Sequence, residues 1–230
     1  MTISTPRPHF ECVIITIFPE MFRALTDFGV IGRACERGIL KVSMLNPRDF
    51  TADTYRRIDE RPYGGGPGMV MMAEPLYQAI QAAKTKLGPA VPVYFLSPQG
   101  SVLTQKKVRE WAGSSSMILL CGRYEGVDQR LIDECVDAEI SIGEYVVSGG
   151  ELPAMIVIDA ITRLLPGVLN DPESALQESF ETEGALDYPV YTAPRIWHEK
   201  PVPPVLLSGD HQKIKVSRLH RNDKEEATAL

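Results

Sequence analysis

Three times between residues 91 and 150 a short apolar run ends in a glycine-containing turn, and this repeated unit constrains the fold more than any other feature of the chain. Val93-Tyr94-Phe95-Leu96 runs into Ser97-Pro98-Gln99-Gly100. Met117-Ile118-Leu119-Leu120 runs into Cys121-Gly122-Arg123-Tyr124-Glu125-Gly126. The third unit follows the short run Ala138 to Ile142 and extends to Pro153, reading S-I-G-E-Y-V-V-S-G-G-E-L-P from Ser141. There Gly143, Gly149, Gly150 and Pro153 surround an apolar core of Tyr145, Val146 and Val147. Brief apolar runs bounded by turn residues predict buried strands. Glycine lets the main chain come close to a ligand. Three such turns at strand ends therefore predict one cleft at the carboxyl edge of an open α/β sheet, where such sheets bind ligands.

The rest of the first 166 residues alternates in the same way. Phe10 to Phe18 reads as a buried strand, and Pro19-Glu20 opens a helix because proline is tolerated in a first turn. A short helix at Ile31 to Arg37 and a strand at Ile39 to Leu45 follow. Asn46 to Gly68 reads as loop, with Pro47, Pro62, Pro67 and the run Gly64-Gly65-Gly66. Helices are expected at 73–86, 104–111, 128–135 and 152–165, with Asp128 as an N-cap. Further strands are expected at 91–96, 117–121 and 138–142. Strand–helix alternation predicts an α/β fold, a mostly parallel sheet with helices on both faces. Composition shifts after Pro166. The expected organisation is a cofactor-type domain at 1–166, a linker at 167–189 and a small domain at 190–230.

Length and composition narrow the class. A chain of 230 residues that is 44% hydrophobic and 23% charged can bury a sizeable core. A net charge of −6 argues against a general nucleic-acid coat protein but leaves room for a local basic patch, and His211 to Arg221 carries Lys213, Lys215, Arg218 and Arg221 with no acid. The four cysteines have neither C-x-x-C nor zinc spacing, which points to reduced buried thiols and a cytoplasmic protein. No apolar run approaches the length of a membrane span, and Met1 to His9 lacks the apolar stretch of a signal peptide.

Taken singly, the candidate site residues have ordinary readings. The Gly64–Gly68 run lacks both the dinucleotide spacing and the lysine of a phosphate-binding loop. Arg56, Arg57 and Arg61 beside it could touch phosphate or water. Met69, Met71 and Met72 read as packing. Arg163 is a lone cation in an apolar helix, and Glu178 by itself is a solvated carboxylate. Glu125 and Glu144 sit in candidate ligand loops, where a carboxylate can meet a ribose hydroxyl or an amine or simply face water. Read this way, the residues define an α/β protein with a small-ligand cleft.

In order, however, the motifs resemble the bacterial tRNA (guanine-N1)-methyltransferase family of the knotted SPOUT superfamily. They are I-F-P-E-M-F at 17–22, N-P-R-D-F at 46–50, R-P-Y-G-G-G-P-G-M at 61–69 and L-S-P-Q-G at 96–100. They continue with C-G-R-Y-E-G-V-D at 121–128, S-I-G-E-Y-V-V-S-G-G-E-L-P-A at 141–154, P-G-V-L at 166–169 and V-P-P-V-L-L-S-G at 202–209. The resemblance implies a deep trefoil knot, an exception to the rule against knotted chains. It implies S-adenosylmethionine bound by Leu96, Pro98, Gly122, Tyr124, Glu125, Ile142, Gly143, Glu144, Tyr145, Val146, Val147, Gly149, Gly150 and Pro153. It also implies methylation of N1 of the guanine at tRNA position 37, 3′ of the anticodon. An obligate homodimer would grip the anticodon arm with a small, mainly helical C-terminal domain.

In the family an aspartate within S-A-x-x-D-S-F acts as base, and an arginine after the knot offsets charge on O6. Here the motif reads S-A-L-Q-E-S-F, so the resemblance implies Glu178 as base, one methylene longer, and Arg163 as the stabilising cation. It also suggests a divalent ion such as Mg2+, for which the sequence offers no ligand cluster. Many members continue further than this chain's last residue, so a smaller RNA-gripping surface is expected. Two other readings stay open at this level: methylation of another RNA position, and an RNA-binding dimer without turnover.

Overall fold

The computed structural model describes residues 9–169 and 188–219. The chain divides into two compact units, Met1–Pro172 and Glu173–Leu230. The linker expected at 167–189 and Glu178 fall almost wholly or wholly outside the described residues.

The first unit is built on five parallel strands. In chain order they are β1 (Phe10–Ile15) and β2 (Leu40–Leu45), then, after a two-stranded antiparallel hairpin of β3 (Asp59–Glu60) and β4 (Val70–Met71), β5 (Val93–Val102), β6 (Ser116–Cys121) and β7 (Ala138–Ser141). The sheet order is β2-β1-β6-β5-β7, all neighbours parallel. The helices are α1 (Arg23–Thr26), α2 (Gly29–Glu36), α3 (Ala73–Leu87), α4 (Gln105–Ala112), α5 (Gln129–Cys135) and α6 (Glu151–Arg163).

Helices cover both faces of the sheet, which is why its strands read as unbroken apolar runs rather than alternating ones. Cys12, Ile14, Met117 and Leu119 join one core with α2, α4 and α6. Their neighbours Val13, Ile15, Ile118 and Leu120 join a second with α3 and α5. The helices bury stripes of the expected period: Leu76, Ala79, Ile80 and Ala83 on α3, and Ala154, Val157, Ile158 and Ile161 on α6. Each large core side chain contributes about 1.5–3 kcal/mol of burial, so the two cores hold the sheet rigid beneath its loops. Asp128 caps α5 by accepting from the Arg130 amide at 3.0 Å, and Thr104 caps α4 from the Lys107 amide at 3.3 Å.

Asn46 to Gly68, expected as loop, holds a 3-10 turn at Pro47–Phe50 and β3, and two further strands end where the sequence reading does not put them. The first strand stops at Ile15 rather than Phe18, because the Thr16 hydroxyl accepts the Phe18 amide at 3.0 Å and turns the chain out of the sheet. The third strand continues through the expected turn at 97–100 to Val102. Leu96 and Ser101 both lie opposite Ile140, so four residues are looped out before pairing with β7 resumes. Gly100 permits this. A Cβ there would sit 2.2 Å from the main-chain carbonyl carbon of Glu139, inside the body of β7.

In the second unit a short hairpin joins β8 (Ile196–Trp197) to β9 (Lys200–Pro201), followed by a 3-10 turn at Pro204–Leu207 and α7 (His211–Leu219). Lys213, Lys215 and Arg218 of the expected basic stretch lie on α7, and the Arg218 guanidinium stacks 4.0 Å from the Tyr188 ring. Arg221 lies outside the described residues. Among the described residues, no helix is long and apolar enough to cross a membrane.

Candidate active site

The carboxyl ends of β5, β6 and β7 open onto a cleft of about 410 Å3. All three glycine-bearing segments contribute to it. The looped-out part of β5 supplies Leu96 and Pro98; the segment after β6 supplies Gly122, Tyr124 and Glu125; the segment after β7 supplies Ile142, Tyr145, Val146, Val147, Gly149, Gly150 and the helix residue Pro153. Of the residues expected at a cofactor, Gly143 and Glu144 are not among those lining the cleft. The Gly143 carbonyl accepts the Ser141 hydroxyl at 3.0 Å, within the turn itself, and Glu144 points to solvent. Arg163 is half-buried in the last turn of α6 and does not line the cleft.

The segments are stitched to one another by main chain. The Gly150 amide donates to the Gly122 carbonyl at 2.9 Å, drawing the second and third together. The Glu125 amide donates to the Met69 carbonyl at 2.9 Å and the Met71 amide to the Gly126 carbonyl at 2.9 Å, so the β3–β4 hairpin braces the second segment from behind. Met71 is fully buried, which agrees with its reading as packing.

Three residues carry a feature that motif spacing did not single out: Thr16, Arg123 and Glu151. Glu151 is completely buried in the first turn of α6, yet it carries a carboxylate. One oxygen accepts the Thr16 hydroxyl at 2.8 Å and the other accepts Arg123 Nε at 2.8 Å. Arg123 Nη1 then reaches the Ser148 carbonyl at 3.0 Å, and its guanidinium lies 4.7 Å from the Phe18 ring. Gly149 makes room for it, since a Cβ there would fall 2.3 Å from Arg123 Nε. The available signal was a charged residue directly after Gly-Gly at the head of an apolar helix.

Burial first, and the Glu151 charge second, push the Cys121 thiol well above its ordinary range. Burial does the same to Cys12. Neither thiol is poised as a nucleophile. Among the described residues, no group of three His, Cys, Asp or Glu side chains could hold a metal ion.

A parallel sheet that gathers three glycine-bearing segments at its carboxyl edge defines a ligand-binding α/β enzyme domain. Comparison with known proteins makes this specific. Residues 10–229 match the family model described as tRNA (Guanine-1)-methyltransferase TrmD. A tRNA (guanine-N(1)-)-methyltransferase from Idiomarina loihiensis is 57% identical over 209 residues, covering 91% of this chain and 82% of that protein. One from Alcanivorax borkumensis is 55% identical over 217 residues, covering 94% and 82%. The crystal structure of tRNA (m1G37) methyltransferase from Aquifex aeolicus superimposes with a TM-score of 0.79 at 36% identity, covering 96% of this chain and 93% of that one. The chain belongs to the tRNA (guanine-1)-methyltransferase family. Its fold is the expected one, a mostly parallel α/β sheet with a trefoil-knotted C-terminal segment and a small C-terminal domain.

Proposed function

We propose that this enzyme uses S-adenosylmethionine to methylate N1 of the guanine at tRNA position 37. The observation that carries the reading is the cleft at the ends of β5, β6 and β7 in a chain of this family. Its residues suit such a cofactor. Leu96, Ile140, Val146, Val147 and Pro153 offer apolar walls for an adenine, while Gly122, Gly126, Gly149 and Gly150 offer main chain alone. Glu125 and Tyr124 bring polar groups to the same cleft. Bound there, S-adenosylmethionine supplies a methyl group on a sulfonium centre.

N1 of guanine carries a proton and is a poor nucleophile at neutral pH. Glu178 is the base that accepts this proton as the N1–methyl bond forms and the sulfur–methyl bond breaks. Arg163 offsets the negative charge that develops on O6. Glutamate in place of the family's aspartate preserves the carboxylate and lengthens its reach. No metal is assigned a step. The working unit is a homodimer, the C-terminal unit grips the anticodon arm, and the tRNA substrate places the reaction in the cytoplasm.

The test is single-turnover transfer from labelled S-adenosylmethionine to a tRNA transcript with guanines at positions 36 and 37, with digested nucleosides resolved by mass. The expected product is 1-methylguanosine, lost when guanine 37 becomes adenine. Glu178→Gln should slow the chemical step by about 10²–10⁴-fold, the usual contribution of a general base. Methylation of another position, or binding of both ligands without transfer, would overturn the proposal. Full activity of Glu178→Gln would overturn the residue's role.

A further inference from the structure

We propose that Glu151 is a positioning residue for cofactor binding, acting through Arg123 to hold the second and third segments of the cleft in register. The proposal rests on the reading of the cleft as the S-adenosylmethionine site. Glu151 itself cannot touch substrate: it is completely buried and both its oxygens are occupied.

The argument begins from the cost of the arrangement. Moving a carboxylate and a guanidinium out of water is expensive, and apolar residues of similar size are often at least as stabilising in such a place. A fully buried carboxylate paired with a largely buried arginine is therefore poorly explained by stability alone. What the pair does provide is connection. Thr16 follows β1, Arg123 follows β6, and Ser148 and Glu151 precede and open α6. The hydrogen bonds Thr16–Glu151, Glu151–Arg123 and Arg123–Ser148 join these distant segments in one chain.

Arg123 lines the cleft, and its Nη1 holds the carbonyl of Ser148, next to the apolar residues Val146 and Val147 that also line it. The planar fork of arginine fixes two acceptors in direction as well as distance. Glu151 sets the direction of that fork. With the carboxylate removed, Arg123 keeps its charge but loses the partner that aims it, and the Ser148 segment loses its tether.

The experiment uses the full-length protein and its Glu151→Gln, Thr16→Val, Arg123→Lys and Glu151→Gln/Arg123→Lys variants. It measures S-adenosylmethionine affinity by calorimetry, steady-state constants with tRNA, and the thermal midpoint. Glu151→Gln should raise the KM for S-adenosylmethionine about tenfold or more, as loss of a charge-assisted hydrogen bond predicts. The KM for tRNA and kcat at saturating cofactor should stay within about threefold, since neither substrate nor reacting atoms meet Glu151. Thr16→Val should raise the cofactor KM about threefold, and it carries the test if Glu151→Gln fails to fold.

Because Glu151 acts through Arg123, the double variant should bind the cofactor no worse than Arg123→Lys alone. An unchanged cofactor KM accompanied only by a lower thermal midpoint would overturn the proposal, as would strictly additive losses in the double variant. Absence of S-adenosylmethionine binding by the unmutated protein would instead overturn the reading of the cleft on which the proposal stands.

Discussion

Two arginine–carboxylate pairs in the first unit have nearly the same geometry and different surroundings. Arg57 Nε lies 3.0 Å from Asp53 in the loop before β3, and Arg123 Nε lies 2.8 Å from Glu151 beneath the cleft. The side chains of the first pair are 65% and 29% exposed; those of the second are 17% and 0% exposed. Water screens the first pair and competes for its hydrogen bonds, so it orders a loop at little gain. The second pair is shielded, and neither partner can be removed without stranding the other. The hydrogen bond from Arg57 still holds the Asp53 carboxyl below its ordinary range.

The sharpest way to break this comparison is Glu151→Ala. It takes the carboxylate partner from a largely buried Arg123 and should cost about 3–5 kcal/mol of stability in urea denaturation. A loss below about 1 kcal/mol, the range of surface pairs, would place the buried pair in the same class as Arg57–Asp53. Gly149→Ala should come next. Its methyl group occupies the space of the Arg123 guanidinium, at an overpacking cost of about 1–3 kcal/mol. Scanning calorimetry checks this, and a wild-type midpoint would mean that Arg123 can move aside freely.

Asp128→Ala sits between the extremes, since it removes a helix cap and should cost about 1 kcal/mol. Its pH dependence follows from a carboxyl held below the ordinary range, first by the Arg130 side-chain hydrogen bond. The capping contribution is whole above the ordinary carboxylate range. It fades as the pH falls toward the lowered folded value, so wild type and variant should converge in midpoint only in acid. The smallest effect is Asp53→Asn, which should leave the calorimetric midpoint nearly unchanged because Arg57 is mostly exposed and water screens the pair.

Most of the first unit could be read from sequence because its signals are local. Apolar runs such as Met117–Leu120, the α3 stripe and the Asp128 cap each depend on residues a few positions apart. The cleft was legible for the same reason: glycine turns directly follow strands. What escaped was set by distant pairing. The excursion at 97–100 depends on Ile140 serving as partner twice, and the end of β1 depends on a hydroxyl that also faces Glu151. Glu151 was not singled out, because its partners lie at Thr16 and Arg123 and nothing in its neighbours announces them. The roles proposed for Arg163 and Glu178 rest on family resemblance, since one arginine in an apolar helix and one glutamate in a polar stretch carry no local signature.

Four glycines, Gly122, Gly126, Gly149 and Gly150, present the cleft with nothing but peptide groups. For an inhibitor this changes the arithmetic of escape. A drug that leans on a side chain can be evaded by replacing that side chain, whereas one that packs against this bare main chain rests on atoms that every substitution keeps. At Gly149 and Gly150 an added side chain would also collide with the Arg123 side chain or the Cys121 main chain, so blocking the drug there would damage the fold. Resistance to a main-chain-directed ligand of this cleft should therefore arise through raised expression or lowered uptake before it arises through substitution at these glycines.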